Sequence, residues 1–482
     1  MQDRDTIDRR TFTRRTAALT GAIALAGCIG GGDEEPGDGD ETDEDWNGNG
    51  DDDVSAVPEL PEIENPPDAV YVPTHREAMR MLEPIDAGDF RLAPMLSYPH
   101  PFWVIAGGGS TADEVERVDP DDGRGVHMMF TLWDAETGIV LPVDEGAQIT
   151  VSRDGEQVGS PRSPWAMISQ EMGFHFGDNV PLPEDGTYTV DVRIPPVSTT
   201  KTGEFEGRLE EAQTATFEFV YDDEFRHEVV GGVEYLDEAD WGRRGALGPM
   251  DHGHGDGGHH SDDHGDGGHD EGHDHSDDHG NSDHEHDDHH HENGGHDDDD
   301  HGHSDDHDHH DDEEHDDHGN DGHDDHEHHH VPYSELPDVG EYPGALLVDP
   351  DAGERPEETA DLPRSGDAAV LATLTESGFR LADGDERYLL VSPRTPYNRV
   401  PLADMTVSTT IEREGEVVVE SSLEQTLDSD LDLHYGTSLT DVQPGDSVTI
   451  TVESPPQVAR HRGYETAFLE MPPIELTVPE ES

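Results

Sequence analysis

The chain has 482 residues, with 116 Asp and Glu against 27 Lys and Arg and a formal net charge of −89. That length exceeds one ordinary core and allows two domains joined by polar segments. So negative a chain repels nucleic acid and anionic lipid, which excludes a nucleic-acid partner. Lysine occurs once, at Lys201. Acidic, lysine-poor chains are typical of extreme halophiles, where salt near 1 M cuts the range of charge repulsion to roughly 3 Å. Most of the acidity is therefore expected to serve solvation.

Residues 1–28 read as a targeting segment rather than fold. Arg9-Arg10-Thr11-Phe12 is a twin-arginine motif, with Arg14 and Arg15 close behind. The apolar stretch Ala17 to Ile29 is shorter than the roughly 20 residues a membrane span needs. It ends in Leu25-Ala26-Gly27-Cys28, which resembles a lipobox. Cleavage there would leave Cys28 to carry a lipid anchor on the outer face of the cell membrane, after twin-arginine export of a folded protein. Cys28 is also the sole cysteine, so an intrachain disulfide and a Cys-type zinc site are excluded.

From 29 to 68 the chain is Gly, Asp, Glu and Pro with few apolar residues, and is expected to be a disordered acidic spacer. Residues 69–249 carry strand signals. Val126 to Trp133 reads as a buried strand, and Thr187–Ile194 and Thr214–Tyr221 alternate apolar and polar residues. Turns are expected at Asp154-Gly155 and Asp185-Gly186, and a short early helix where Thr74 and Glu77 have capping-box spacing. Residues 250–330 form a low-complexity linker, since 251–330 hold 27 of the 34 histidines, 32 Asp and Glu, and no Lys or Arg. Residues 331–482 return to strand signals at Arg387–Val391, Met405–Ile411 and Ser447–Val452, with a turn at Pro444-Gly445. Many short strands with polar turns predict an all-β fold of two β-sandwich domains around a disordered His/Asp-rich linker.

The two folded regions read as repeats. Arg153-Asp-Gly-Glu156 recurs as Arg413-Glu-Gly-Glu416, and Phe174-His-Phe-Gly177 as Leu433-His-Tyr-Gly436. Thr189-Val-Asp-Val-Arg-Ile-Pro-Pro196 recurs as Thr449-Ile-Thr-Val-Glu-Ser-Pro-Pro456. The offsets are 260, 259 and 260 residues.

Two sets of residues are candidates for metal. The linker places imidazoles one or two residues apart, as at His252 and His254, His273 and His275, His289, His290 and His291, and His328, His329 and His330. Imidazole with carboxylate neighbours suits Zn²⁺, Cu²⁺, Ni²⁺ and Fe²⁺, giving capacity rather than geometric selectivity. Protons compete below about pH 6. A solvating linker or a pH-sensing one are the other readings. Within the folded regions stand His75, His100, His127, His175, His227, His434 and His461, with Met167 and Met172 near His175. A methionine and a histidine converging at one sandwich end would make a soft, exchangeable site. Core-filling methionines and a hydrogen-bonded loop histidine would look the same in sequence.

Trp165-Ala-Met167, Gly173-Phe-His175-Phe-Gly177, Asn179 and then Gly186-Thr-Tyr-Thr-Val to Pro195-Pro196 resemble the periplasmic iron-transport proteins that accompany iron permeases. In that family the pattern is Met-Pro-Met, Gly-Pro-His-Tyr-Gly-Ala-Asn, Gly-x-Tyr-x-Val and Pro-Pro. The detailed match covers about forty residues of the first region, with a weaker echo in the second. The resemblance implies immunoglobulin-like sandwiches, usually dimeric, that bind copper and iron through methionine and histidine. It carries a ligand role to Met167 and His175. His434 matches the histidine in the second repeat, and His461 falls where the family has a His-rich stretch. The family's early His-x-Glu strand has no evident counterpart, and His100 and His127 stand as substitutes. Leu427 or Ser429 occupies the second repeat's methionine position.

The family site lies at a dimer interface, so the two repeats are expected to pack as an intrachain pseudo-dimer, with His175 and Met167 facing His461; a homodimer is the alternative. Gly-x-Ser-x-Gly, P-loop, His-Glu-x-x-His and dinucleotide motifs are absent, and no enzyme activity is expected. The reading is a lipid-anchored, extracytoplasmic protein that captures iron or copper for a membrane permease. Its competitors are a non-catalytic adhesion or scaffold lipoprotein and a zinc or nickel buffer.

Overall fold

Period-two burial is clearest where the sequence alternates most strictly. Tyr188, Val190, Val192 and Ile194 point inward while Thr187, Asp191 and Arg193 face solvent. The computed structural model describes residues 57–105, 115–121, 124–142, 146–250, 330–350 and 355–480. Its first half contains β1 (His75–Arg76), β2 (Arg80–Met81), β3 (Ile85–Ala87), β4 (Phe90–Ser97), β5 (Phe102–Ile105), β6 (Val115–Val118), β7 (Gly125–Asp134) and β8 (Gln148–Arg153). Then come β9 (Glu156–Gln157), β10 (Trp165–Ser169), β11 (Gly173–Pro181), β12 (Gly186–Ile194), β13 (Thr200–Thr202), β14 (Gln213–Tyr221), helix α1 (Asp223–Gly231) and β15 (Glu234–Tyr235). The second half has β16 (Ala345–Leu346), β17 (Arg364–Ser365), β18 (Ala368–Leu374), β19 (Arg387–Arg394), β20 (Thr406–Arg413), β21 (Glu416–Asp428), β22 (Asp432–Leu439), β23 (Ser447–Ser454), β24 (Ala459–Arg460) and β25 (Ile474–Thr477).

The fold is all-β and built as sandwiches. One layer of the first half runs β2-β4-β7-β11-β10-β24-β5-β6, and the facing layer runs β14-β12-β8-β9. The second half runs β16-β18-β19-β22-β21-β20-β23-β25. Long β21 belongs to both layers there, pairing β20 through Val417–Leu423 and β22 through Glu424–Asp428. The repeated hairpins have two-residue turns, Asp154-Gly155 and Glu414-Gly415, with φ of 52° and 80° and of 53° and 82°. Both residues of each pair sit in the left-handed region that a tight hairpin of this twist demands.

The halves exchange strands. After Pro195-Pro196 the chain crosses over as β13, which lies parallel to β21 of the second half. Following Pro455-Pro456 it crosses back as β24, parallel to β10 of the first. One hydrophobic core runs through both halves, and all the described residues fall in one compact unit. Because of this, β7 is buried at every position and β11 at all but its last. One face of these strands meets the sandwich core and the other is covered by the rest of the molecule.

The helix expected near Thr74 is instead the extended strand β1, paired with β15. Thr74 Oγ1 donates to the carbonyl of Pro61 at 3.0 Å rather than capping. Cap spacing without a following apolar helical stripe leaves nothing to bury. The helix that does form, α1, is capped by Asp222, whose side chain accepts from the Phe225 amide at 2.9 Å. Among the described residues no helix is long and apolar enough to cross a membrane. Arg9, Arg10, Cys28, the spacer as far as residue 56 and the histidines from His252 to His329 lie outside the described residues; His330 is exposed.

Phe130 stacks on Phe176 in the core at a ring separation of 5.3 Å. Phe130→Ala is expected to cost about 3–5 kcal/mol in urea titrations. All five tryptophans precede residue 250, so their fluorescence follows the first half while circular dichroism follows both. The interleaved halves should unfold in one coincident transition, and two separated transitions would contradict a shared core.

Candidate metal centre

The outer face of the first-half sheet gathers its histidines through strand register. Asn179 on β11 lies opposite His127 on β7, and His175 opposite Met167 on β10. Positions two apart along a strand share a face, so Asn179, Gly177 and His175 line up beside His127. His100 follows β4 in the loop leading to β5. His461 follows β24, which places it beside β10, with its amide donating to the carbonyl of Ile168 at 3.0 Å. All four imidazoles are buried. Ring centroids are 4.0 Å apart for His100 and His127, 5.0 Å for His100 and His461, 5.3 Å for His127 and His461, and 4.8 Å for His175 and His461.

Hydrogen bonding fixes which ring nitrogens carry lone pairs. A carbonyl oxygen can only accept, so a ring nitrogen bonded to one must be the N–H. His175 Nδ1 donates to Gly173 O at 3.1 Å, and His100 Nδ1 to Pro101 O at 3.1 Å. His127 Nδ1 donates to Asn179 Oδ1 at 3.0 Å. The same amide is oriented by its Nδ2, which donates to His100 O at 2.9 Å. The Nε2 lone pairs of His127 and His175 therefore face inward.

His175 Nε2 lies 3.1 Å from His461 Nε2. That is about the separation of two ring nitrogens on one ion with bonds of about 2.0–2.1 Å. Potential ligand atoms of His100, His127 and His461 all lie within 4.8 Å of one another. His127 Nε2 is buried with no hydrogen-bond partner. Such an orphan costs free energy unless a proton or cation reaches it.

Two further donors complete the cluster. Glu77 Oε2 lies 3.2 Å from His100 Nε2 and 3.7 Å from His461 Nδ1. Met167 is fully buried, and Gly177 lies beneath its sulfur. A Cβ at Gly177 would stand 2.9 Å from Met167 Sδ and 3.1 Å from His127 Nε2. The glycine thus leaves room for thioether and imidazole to approach the same point.

Electrostatics favour electron-pair donors over protons. Burial pushes His127 and His175 well below the ordinary imidazole value, and neighbouring imidazoles push them further. Burial also lowers His461. For Glu77, burial works upward, but His100 and His461 outweigh it and hold its carboxyl well below the usual range. The imidazoles of His127 and His175, with a carboxylate and a thioether, form a mixed borderline-to-soft donor set, suited to a transition-metal ion.

His75-Arg76-Glu77 has His-x-Glu spacing, on β1 and the residue that follows it. In sequence the same segment carries the capping-box spacing of a helix start. His75 is buried with Nδ1 2.8 Å from Thr74 Oγ1, and burial holds it at about 4.

The equivalent place in the second half has lost its donors. Tyr388 on β19 takes the position of His127, and Thr426, rather than the expected Leu427 or Ser429, that of Met167, because it lies opposite His434 as Met167 lies opposite His175; by strand register Thr202 takes that of His461. His434 Nδ1 donates to Asp432 O at 3.1 Å, as His175 does to Gly173. Its Nε2 then accepts from the Tyr388 hydroxyl at 3.3 Å. Nearby Asp428 would be raised by burial, but Arg380 and Thr202 bind it and hold it at about 2. His434 therefore stands apart from the first-half cluster, satisfied by a phenol.

An interleaved pair of β-sandwiches around a buried imidazole–thioether–carboxylate cluster is the class of molecule these observations define. A family model described as a domain of unknown function (DUF7350) matches residues 353–477. No curated protein matches the chain. Solved structures similar to part of it include a copper-bound variant of FetP from uropathogenic Escherichia coli strain F11. It is 20% identical, with a TM-score of 0.21, covering 30% of this chain and 97% of that one. FetP of the same strain, as isolated, is 18% identical with a TM-score of 0.20, covering 30% of this chain and 95% of its own.

His434 and Asp432 give a pH test. Burial holds His434 at about 4, so the unfolded chain binds its proton first, and the stability it contributes above pH 6.5 is lost as pH falls toward 4. Burial raises Asp432 to about 7, which has the opposite slope over the same window and masks the effect in the parent protein. The difference in urea stability between parent and His434→Gln should therefore shift by about 3 kcal/mol in favour of the variant between pH 7 and pH 4. A difference independent of pH would show that His434 is not buried as described.

Proposed function

We propose that this protein binds a transition metal ion, iron or copper, outside the cytoplasm and passes it to a membrane permease. The observation that carries this reading is the convergence of buried Nε2 atoms, with that of His127 lacking any hydrogen-bond partner, on the sulfur of Met167 and the carboxylate of Glu77. An ion held there as cargo would take neutral imidazole nitrogens and a thioether, a set that fits Fe²⁺ and copper better than hard cations. Residues 251–330 would collect ions at low affinity through their 27 histidines. Export by the twin-arginine route and lipid attachment at Cys28 belong to the same reading, since the site would then meet metal before the membrane does.

Asn179 orients both His127 and His100 through hydrogen bonds, with its amide oxygen and nitrogen both engaged. Loss of such an orienting partner typically weakens a metal site about 10–100-fold. Asn179→Ala should lower affinity by that factor in a competitive chelator titration, with the fold intact. Metal analysis of the chain lacking 251–330 separates the two sets of histidines. One iron or copper retained per chain is the expected result, abolished by His127→Ala. A deleted chain that takes up neither metal would overturn the reading and favour a scaffold.

A further inference from the structure

Beside the histidine cluster lies a second one made only of methionine. Met95, Met129 and Met172 pack together in the interior, with Met79 and Met81 partly buried against them. Methionine commonly fills gaps among Leu, Ile and Val. Here no buried aliphatic side chain belongs to the cluster, and only Met81, at its edge, also packs against the main core.

The arrangement is a rung across the sheet. Met81 on β2 lies opposite Met95 on β4, Met95 opposite Met129 on β7, and Met129 opposite Gly177 on β11. The Cβ that Gly177 lacks would stand 3.4 Å from Met129 Cγ and 2.9 Å from Met167 Sδ. Methionine side chains thus follow one another from the partly exposed edge strand β2 to the thioether of the histidine cluster. A cleft lined by Met79, Met172, His75, Glu77 and His461 joins the same two clusters from the side.

We propose that the methionine cluster is a second binding site, specific for soft monovalent copper, and that it feeds the histidine cluster. Thioethers without charge or nitrogen partners favour Cu⁺ and discriminate against Zn²⁺ and Fe²⁺. Transfer is ligand exchange only. A copper–sulfur bond to Met129 breaks as bonds to Met167 sulfur and His127 Nε2 form, and the ion stays monovalent. This rests on the metal-binding reading of the histidine cluster and names its cargo.

The probe is silver(I) nitrate, a redox-inert soft ion, added in chloride-free buffer to the full chain labelled with carbon-13 at the methionine methyls. The methyl signals of Met95, Met129 and Met172 should shift, both in the parent protein and in His127→Ala. Zinc sulfate should leave them in place. Met95→Leu with Met129→Leu conserves volume and should abolish the Met172 shift while leaving that of Met167. If the double variant does not fold, Met81→Leu at the exposed end should weaken the same response. Movement of the Met167 signal alone would overturn the methionine site and leave the histidine site standing. A shift confined to the methionine cluster would support it and refute the histidine site as its destination. No shift anywhere would overturn both.

Discussion

The site exists because β24 lies parallel to β10. That short pairing, Met167 with Ala459 and Ile168 with Arg460, carries His461 across the molecule to within reach of His175. Without it the first-half sheet would present three imidazoles and a thioether on an open face, hydrated and free to take protons. With it they are enclosed, and enclosure does two things together. It strips the imidazoles of water, which favours their neutral form, and it holds their lone pairs at separations one ion can span.

The exchange creates two enclosures that hold different side chains. Two equal sandwiches swapping strands create two equivalent enclosures. In one, His127, Met167 and His461 remain. In the other, a tyrosine hydroxyl caps His434 and an arginine–aspartate pair occupies the neighbouring ground. Each replacement satisfies the polar groups it meets, as burial requires. The second enclosure is closed by internal hydrogen bonds, whereas the first leaves His127 Nε2 unpaired.

Much of this was legible in the residues. Alternation located β12, β14 and β23, Asp154-Gly155 marked the first hairpin, and the matching segments revealed the duplication and with it the second hairpin. His175, Met167 and His461 were legible as a group through the family resemblance, whose dimer-interface site the internal repeat could supply within one chain. What escaped was set by long-range geometry. Glu77 lay in a segment whose Thr74 spacing mimicked a helix start. The role of Asn179 depends on β7 and β11 being neighbours, which no local signal announces. The methionine rung joins β2, β4 and β7, far apart in sequence. Strand crossing after each Pro-Pro was invisible for the same reason: prolines end a strand but do not say which sheet receives the next one.

Reciprocal exchange bears on how the molecule avoids self-association. Until β24 arrives, β10 presents a bare rim of amides and carbonyls with the half-exposed ring of Trp165 beside it. Such a rim is a template for any other extended chain. Its proper cover is synthesised some 290 residues later, so the growing chain carries a sticky border for most of its production. The same two-residue segment that completes the metal enclosure thus also seals a surface prone to intermolecular pairing.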